Sequence, residues 1–352
     1  LEYIGTALLA FIATLISIIA MRPIARLLGL VDRPGGRKQH AGNIPLIGGP
    51  SLLIGLAVTF IVLETAVPSW LLGSILFIVS AGMIDDRFHI GPFLKLAAQI
   101  ITASAAVILG DAVITNFGVV FMQELLSSYL FCMIFTIVAI TGLINAINMI
   151  DGIDGLAASL CLFPILSFNL SFFWLGIEAS AAFFIGSMVF IGALIAFLLV
   201  NLQIIGRQKI FLGDSGSMVL GYCLSILLIK ASEGSITATY SAVPTALILW
   251  TVAIPVADIL SLTIRRSLQG KSPFLPDRSH LHHIILDLGF SARQTLLIII
   301  GMATILYGLG LMTTLLGSNI IGIAAFAVFL ILYFIALSQL SASRRVKQQL
   351  AD

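Results

Sequence analysis

Eleven long apolar runs separated by short polar stretches dominate the chain. They lie at approximately Tyr3–Met21, Leu46–Leu63, Trp70–Ile84, Phe93–Leu109, Tyr129–Ile150, Leu156–Gly176, Ala179–Leu199, Ser217–Lys230, Thr245–Ile264, Gln294–Leu316 and Asn319–Leu337. A membrane-spanning helix needs about 20 mostly apolar residues, fewer where its ends reach the interface. The runs do not alternate and are about twice the length of a barrel strand. They predict an all-α polytopic membrane protein of about 11 transmembrane helices. The stretch Asp111–Ser127 alternates weakly, which fits a small hairpin or a half-buried loop. No internal repeat, low-complexity tract or soluble domain is evident, so residues 1–352 read as a single integral membrane domain. The first run lacks a small-residue cleavage site and is flanked by Arg, so it reads as a span and not a signal peptide.

Composition agrees with that reading. Of 352 residues, 59% are hydrophobic and 10% charged, against roughly 25% charged in a soluble domain, and mean hydropathy is +1.13. Eighteen Lys and Arg against sixteen Asp and Glu leave a net charge of only +2, which excludes a nucleic-acid binder. Cys132, Cys161 and Cys223 lie far apart in apolar runs and predict buried packing, not disulfides or a thiolate zinc site.

Seventeen of the eighteen basic residues fall in alternate connections, Lys230 being the exception. Basic residues mark cytoplasmic loops, so the loops at about 22–45, 85–93, 150–156, 200–216 and 265–293, with the C-terminal tail, are expected inside. The N-terminus is then periplasmic and the C-terminus cytoplasmic.

The acidic residues divide by side. Glu2, Glu64, Asp111, Glu124, Glu178 and Glu233 stand singly on the outer side and read as solvated loop charges. Inside, Asp85-Asp86, Asp151, Asp154 and Asp214 sit at span ends beside glycines and amides. Ionisable groups at membrane depth are expensive and tend to be functional. Carboxylates gathered from several spans repel one another unless a cation joins them, and such oxygens suit Mg²⁺. The inner loops Asp32–His40 and Arg265–His283 supply Arg, Lys and His, a set fit to bind a diphosphate. Anionic lipid headgroups account for scattered basic residues, but not for three histidines within four positions (His280, His282, His283). Their spacing on one loop is awkward for a tetrahedral zinc centre. Asp258, inside the ninth run beside Pro255, reads as a structural or supporting hydrogen-bonding group. It is also the residue most like a proton carrier, and proton-coupled transport is the rival class.

Five blocks, Asp32–Gly49 (DRPGGRKQHAGNIPLIGG), Asp85–His89 (DDRFH), Asn145–Gly155 (NAINMIDGIDG), Phe211–Ser217 (FLGDSGS) and Gly270–His283 (GKSPFLPDRSHLHH), occur in the order and spacing of a known family. The chain resembles the polyprenyl-phosphate N-acetylhexosamine-1-phosphate transferases (the WecA, TagO and MraY enzymes) from about Asp32 to Arg293. The His-x-His-His form is most similar to the WecA branch. His89 departs from it, standing where a third Asp is usual.

The resemblance implies transfer of GlcNAc-1-phosphate from UDP-GlcNAc to undecaprenyl phosphate, with Mg²⁺ (or Mn²⁺) as cofactor. The product would be undecaprenyl-diphospho-GlcNAc and UMP, at a bacterial inner membrane with the site facing the cytoplasm. MraY-like or other N-acetylhexosamine donors are the alternative within the family. By the same resemblance Asp85, Asp86 and Asp214 are catalytic, and Asp214, Asp86 and Asp151 are metal ligands. Asn148, Asp151 and Asp154 would hold the nucleotide or order the metal site, and Phe211 would stack on uracil. His280, His282 and His283, with Arg266 and Arg278, would grip the UDP phosphates or sugar, while Arg37 and Lys38 would meet the lipid phosphate. The lipid bilayer is the expected environment, and a homodimer is compatible with the sequence.

Overall fold

The computed structural model describes residues 2–33, 42–117, 128–175, 180–206, 208–233, 243–270 and 279–349. In chain order the elements are α1 (Glu2–Leu28), β1 (Val31–Asp32), β2 (Ile44–Pro45), α2 (Gly48–Val62), α3 (Ser69–Phe88), α4 (Pro92–Gly110), α5 (Tyr129–Ile150), α6 (Leu156–Leu175), α7 (Ala181–Asn201) and α8 (Gly213–Glu233). They continue with α9 (Thr245–Thr251), α10 (Ala253–Leu268), α11 (Leu281–Asp287), α12 (Ala292–Leu316) and α13 (Asn319–Gln349).

Among the described residues, eight helices are long and apolar enough to cross a membrane, and α9 with α10 makes a ninth if a pair bent by 75° counts as one span. Two shorter apolar helices, α2 and the described part of α6, complete the set. Every predicted run therefore contains a helix, and the chain is an α-helical polytopic membrane protein. The expectation of uninterrupted spans is corrected at the ninth run, where Val252 (φ −107°, ψ 18°) separates α9 from α10. The two-residue antiparallel pairing of β1 with β2 is a small exception to an all-α fold.

The chain forms two compact units. One comprises Leu1–Thr115 with Glu124–Ala242, the other Asn116–Gln123 with Val243–Asp352. In the first, α8 is the centre, with 83% of its apolar window buried. Small residues let its neighbours come close, as helices packed without a hydrophobic drive require. A Cβ on Gly82 of α3 would lie 2.2 Å from Ser215 Cα, and one on Gly221 would lie 2.6 Å from Ile144 Cα of α5.

Two acids expected to be solvated loop charges also act as fasteners. Glu233 accepts from Thr115 N (3.0 Å) and from the Thr115 hydroxyl, and Asp111 accepts from the Tyr129 hydroxyl at 2.5 Å. The described part of the 111–127 stretch is an irregular loop with Ala112 and Val113 buried; 118–127 lie outside the described residues. All three cysteines are free and buried, as the sequence predicts.

In the second unit, Trp250 Nε1 donates to Gly322 O (3.1 Å) and Asn319 Oδ1 accepts from Ala246 N (2.8 Å), tying α9 to α13.

Candidate functional site

The carboxylates of the first unit gather at the N-terminal end of α8. Asp85 is buried in the last turn of α3, and Lys95 Nζ from α4 reaches its Oδ2 at 2.8 Å. The same ammonium lies 3.3 Å from Asp214 Oδ1. Asn148, from the last turn of α5, donates to that oxygen at 2.5 Å and also lies 2.8 Å from Ser217 Oγ. The two carboxylates thus share one ammonium, Asp214 alone takes the amide, and the Asp214 side chain is 30% exposed.

Asp86 has a different task. Its carboxylate accepts from Asp214 N (2.7 Å), Ser215 N (3.1 Å) and Ser215 Oγ (2.8 Å), so it caps the start of α8. A carboxylate suits the free N–H groups and positive dipole end found there. Gly213 (φ 73°) makes this fit, because a Cβ would stand 2.7 Å from Asp86 Oδ2. The glycines of the Phe211–Ser217 block thus admit a capping side chain and, at Gly216 beside Gly49 of α2, neighbouring backbone.

His89, at the usual third Asp position, ends α3 in the left-handed region (φ 52°) with its side chain exposed and its N–H returned to Asp85 O at 2.8 Å. The acidic block therefore stops where the helix stops.

Asp151 follows α5 directly and is half-buried. Burial, followed by the charges of Asp214, Asp86 and Asp154, pushes its carboxyl up to about 8. Asp154 is paired with Lys209, whose Nζ lies 5.0 Å from the centre of the Phe211 ring. Phe211 is held by backbone bonds on both sides, its N–H to Pro45 O (2.9 Å) and its carbonyl from Gly48 N (3.0 Å).

The histidines form a second cluster, in the other unit. They are not on a loop: His280 caps α11, and His282 and His283 lie in its first turn. Asp258 Oδ2 is 2.8 Å from His280 Nδ1, while Asp258 Oδ1 accepts from Leu281 N (3.0 Å) and the Tyr333 hydroxyl (3.2 Å). An ionised carboxylate can only accept, so Nδ1 carries the proton and Nε2 is left to face another partner. The supporting role expected of Asp258 is what this geometry gives it.

His282 is 1% exposed, and neither ring nitrogen has a hydrogen-bond partner. Burial, then His283 and His280, push its imidazolium down to about 3. Arg265 donates to Ser341 Oγ (2.6 Å), Ser279 O (3.1 Å) and Ser261 O (3.2 Å), tying down the approach to α11. Arg266 is buried. Arg37, Lys38 and Arg278 lie outside the described residues.

Sequence reasoning missed Lys95 and Lys209 as site residues, and the capping and support given by Ser215 and Ser217. For Lys95 a signal existed: it is the one charge inside its apolar run. Among the described residues, no three His, Cys, Asp or Glu side chains are set to hold a metal unaided. Mg²⁺ is usually bound by one or two carboxylates and completed by water and substrate phosphate. Asp214 with Asp85 fits that pattern, being oxygen donors with surplus negative charge, whereas Asp86 is committed to backbone donors.

Residues 68–232 match the family model described as glycosyl transferase family 4. Among curated relatives, the undecaprenyl-phosphate alpha-N-acetylglucosaminyl 1-phosphate transferase of Haemophilus influenzae is 32% identical over 346 residues, 96% of this chain and 93% of the relative. The protein of that name from Pasteurella multocida is 34% identical, covering 93% and 90%, and that of Escherichia coli O157:H7 is 33% identical, covering 86% and 81%. The chain belongs to the undecaprenyl-phosphate alpha-N-acetylglucosaminyl 1-phosphate transferase family.

Proposed function

We propose that this chain transfers GlcNAc-1-phosphate from UDP-GlcNAc to undecaprenyl phosphate and releases UMP, the first lipid-linked step of a cell-envelope polysaccharide. The relatives' shared name supports the reaction. The observation that carries it to particular residues is the meeting of Asp85, Asp214, Asn148 and Lys95 from four helices at the start of α8.

In this reading a phosphate oxygen of the lipid attacks the β-phosphorus of the nucleotide sugar, and the bond to UMP breaks with its electron pair leaving on UMP. Two anions must approach, so positioning and electrostatics carry the catalysis. Mg²⁺, when bound, supplies neutralising charge to the diphosphate. Asp214 would hold it with Asp85 beside it, and Asp151 is the further candidate. Lys95 bridges those two carboxylates and holds them in place. Asn148, fixed between Asp214 and Ser217, orients the Asp214 carboxylate. Asp154 and Phe211, linked through Lys209, are assigned to the uridine, and His280, held through Nδ1, presents Nε2 to a phosphate oxygen or the sugar. A lipid phosphate has its second pKa near 6, so direct attack needs no strong base.

The concentration of Lys and Arg in alternate connections supports eleven crossings with the N-terminus periplasmic and this site facing the cytoplasm of the inner membrane. The test is UMP release from UDP-GlcNAc and undecaprenyl phosphate by the purified protein in detergent, with and without Mg²⁺, run beside UDP-MurNAc-pentapeptide. Release only with UDP-GlcNAc and Mg²⁺ is expected. Release with the pentapeptide donor alone would move the chain to another branch.

A further inference from the structure

Arg22 and Arg26 lie one turn apart near the end of α1, and so close to one face of the helix. Beside them opens a cavity of about 780 Å³, whose lining includes Arg22, Arg26, Asn43, Gln203, Gln208 and Lys209 and, among the described residues, no Asp or Glu. It belongs wholly to the first unit. None of the acids at the start of α8 lines it.

The cavity is built before any ligand enters. Arg22 Nη2 donates to Gln208 O at 2.6 Å, which anchors the connection after α7. That connection turns through two left-handed residues, Gln203 (φ 57°) and Gly206 (φ 77°). A left-handed non-glycine residue is uncommon and persists where its surroundings enforce it. Arg22 Nε is buried without a hydrogen-bond partner, a deficit that native structures seldom leave unmet. Arg26 is exposed, and among the described residues its side chain has no ion pair or hydrogen bond. Two guanidinium groups and amide side chains select a phosphate group; the Lys209 ammonium is already paired with Asp154.

The flank of the cavity points to the source of that phosphate. Among the described residues no aromatic ring lines it to stack on a base. Exposed Ile12, Ile16 and Ile19 continue along the face of α1 that carries Arg26, at the spacing of a single helical stripe. A headgroup in the cavity would leave its acyl chains along that apolar stripe. We propose that this cavity binds the phosphodiester headgroup of an anionic phospholipid, and so fixes one lipid against α1 next to β2, whose Pro45 meets Phe211.

The full-length protein in nanodiscs of equal phosphatidylglycerol and phosphatidylcholine, released into a native mass spectrometer, tests this directly. The wild type should retain phosphatidylglycerol preferentially. Arg26→Gln should lower that preference about fivefold, the worth of one Arg near an anionic surface, and Arg22→Gln/Arg26→Gln should remove it. The single variant guards the result, because Arg26 supports no contact whose loss would unfold the chain. A wild type without preference, or a preference that survives both substitutions, overturns the proposal. A second arm adds inorganic phosphate to protein in phosphatidylcholine alone. Thermal stabilisation there that needs both arginines, without any phosphatidylglycerol preference, would assign the cavity to a soluble phosphate and overturn the lipid.

Discussion

At the start of α8, Asp85 and Asp214 share the single ammonium of Lys95, and Asp214 still faces solvent. In the second unit, by contrast, Asp258 is 2% exposed and its two oxygens meet three partners: His280 Nδ1, Leu281 N and the Tyr333 hydroxyl. The first cluster keeps more negative charge than its neighbours neutralise, which is the condition for taking up a cation or receiving a cation-bound phosphate. The second has its acid fully engaged, so what it offers is orientation of an imidazole. The two clusters should therefore fail differently when cut. Loss from the first should strike charge and turnover; loss from the second should strike the placing of a ring.

The largest effect is expected at Asp214. Asp214→Asn keeps the shape and a polar partner for Asn148, but deletes the charge. Turnover should fall by about two to three orders of magnitude, the usual cost of removing one preorganised electrostatic group, with the melting temperature little changed. Near-normal UMP release would remove Asp214 from the chemistry and erase the distinction between the clusters.

Lys95 comes next. Lys95→Met leaves two carboxylates facing each other without their ammonium, and stranding one side of a largely buried pair costs about 3 kcal/mol, reduced here because the Lys95 side chain is 24% exposed. Thermal unfolding in detergent should show the loss. Adding Asp85→Asn should recover part of it, since a neutral partner no longer needs the ammonium. A purely additive double variant would mean that Lys95 supports the fold by packing alone.

A smaller effect is expected at Asp258. Asp258→Asn should release the His280 ring, because an amide can present a donor where Nδ1–H needs an acceptor. The loss of a group that orients another typically costs about ten- to a hundredfold, and here it should fall mainly on KM for the nucleotide sugar. Asp258→Glu should restore part of it. A uniform fall in stability with unchanged kinetics in the surviving protein would reduce Asp258 to a structural bond.

Much of this was legible before any coordinates. Each apolar run became helical, because about twenty consecutive apolar residues have no other satisfied conformation in lipid. Asp85, Asn148, Asp151 and Asp214 came together from their motifs. What failed had distant causes. The capping task of Asp86 depends on backbone 128 residues away, and nothing local announces it. The bend at Val252 is the exception with a local cause that the apolar pattern hides: Pro255 has no N–H for the Thr251 carbonyl, and its ring crowds that carbonyl. Lys209 looked like one more inner-loop charge until Asp154 and Phe211 were seen around it. Glu233 looked solvated because its partner, Thr115, is 118 positions earlier in sequence.

The smallest effect sharpens the comparison from the side of protons. His282 is buried with both nitrogens unpartnered, and its folded pKa is held down to about 3, whereas an unfolded His titrates near 6.5. Between those values the unfolded chain binds the extra proton, so stability from this site is complete above about 6.5 and is lost as pH falls towards 3. At pH 5.5 the loss should be about 1 kcal/mol relative to pH 7.5. His282→Gln cannot take the proton and should flatten the acid limb of the melting temperature, even if it lowers stability at neutral pH. Asp214→Asn acts on the curve by another route, through Asp151, whose carboxyl the Asp214 charge helps to raise. An acid limb that His282→Gln leaves unchanged would remove His282 from the pH dependence of the fold.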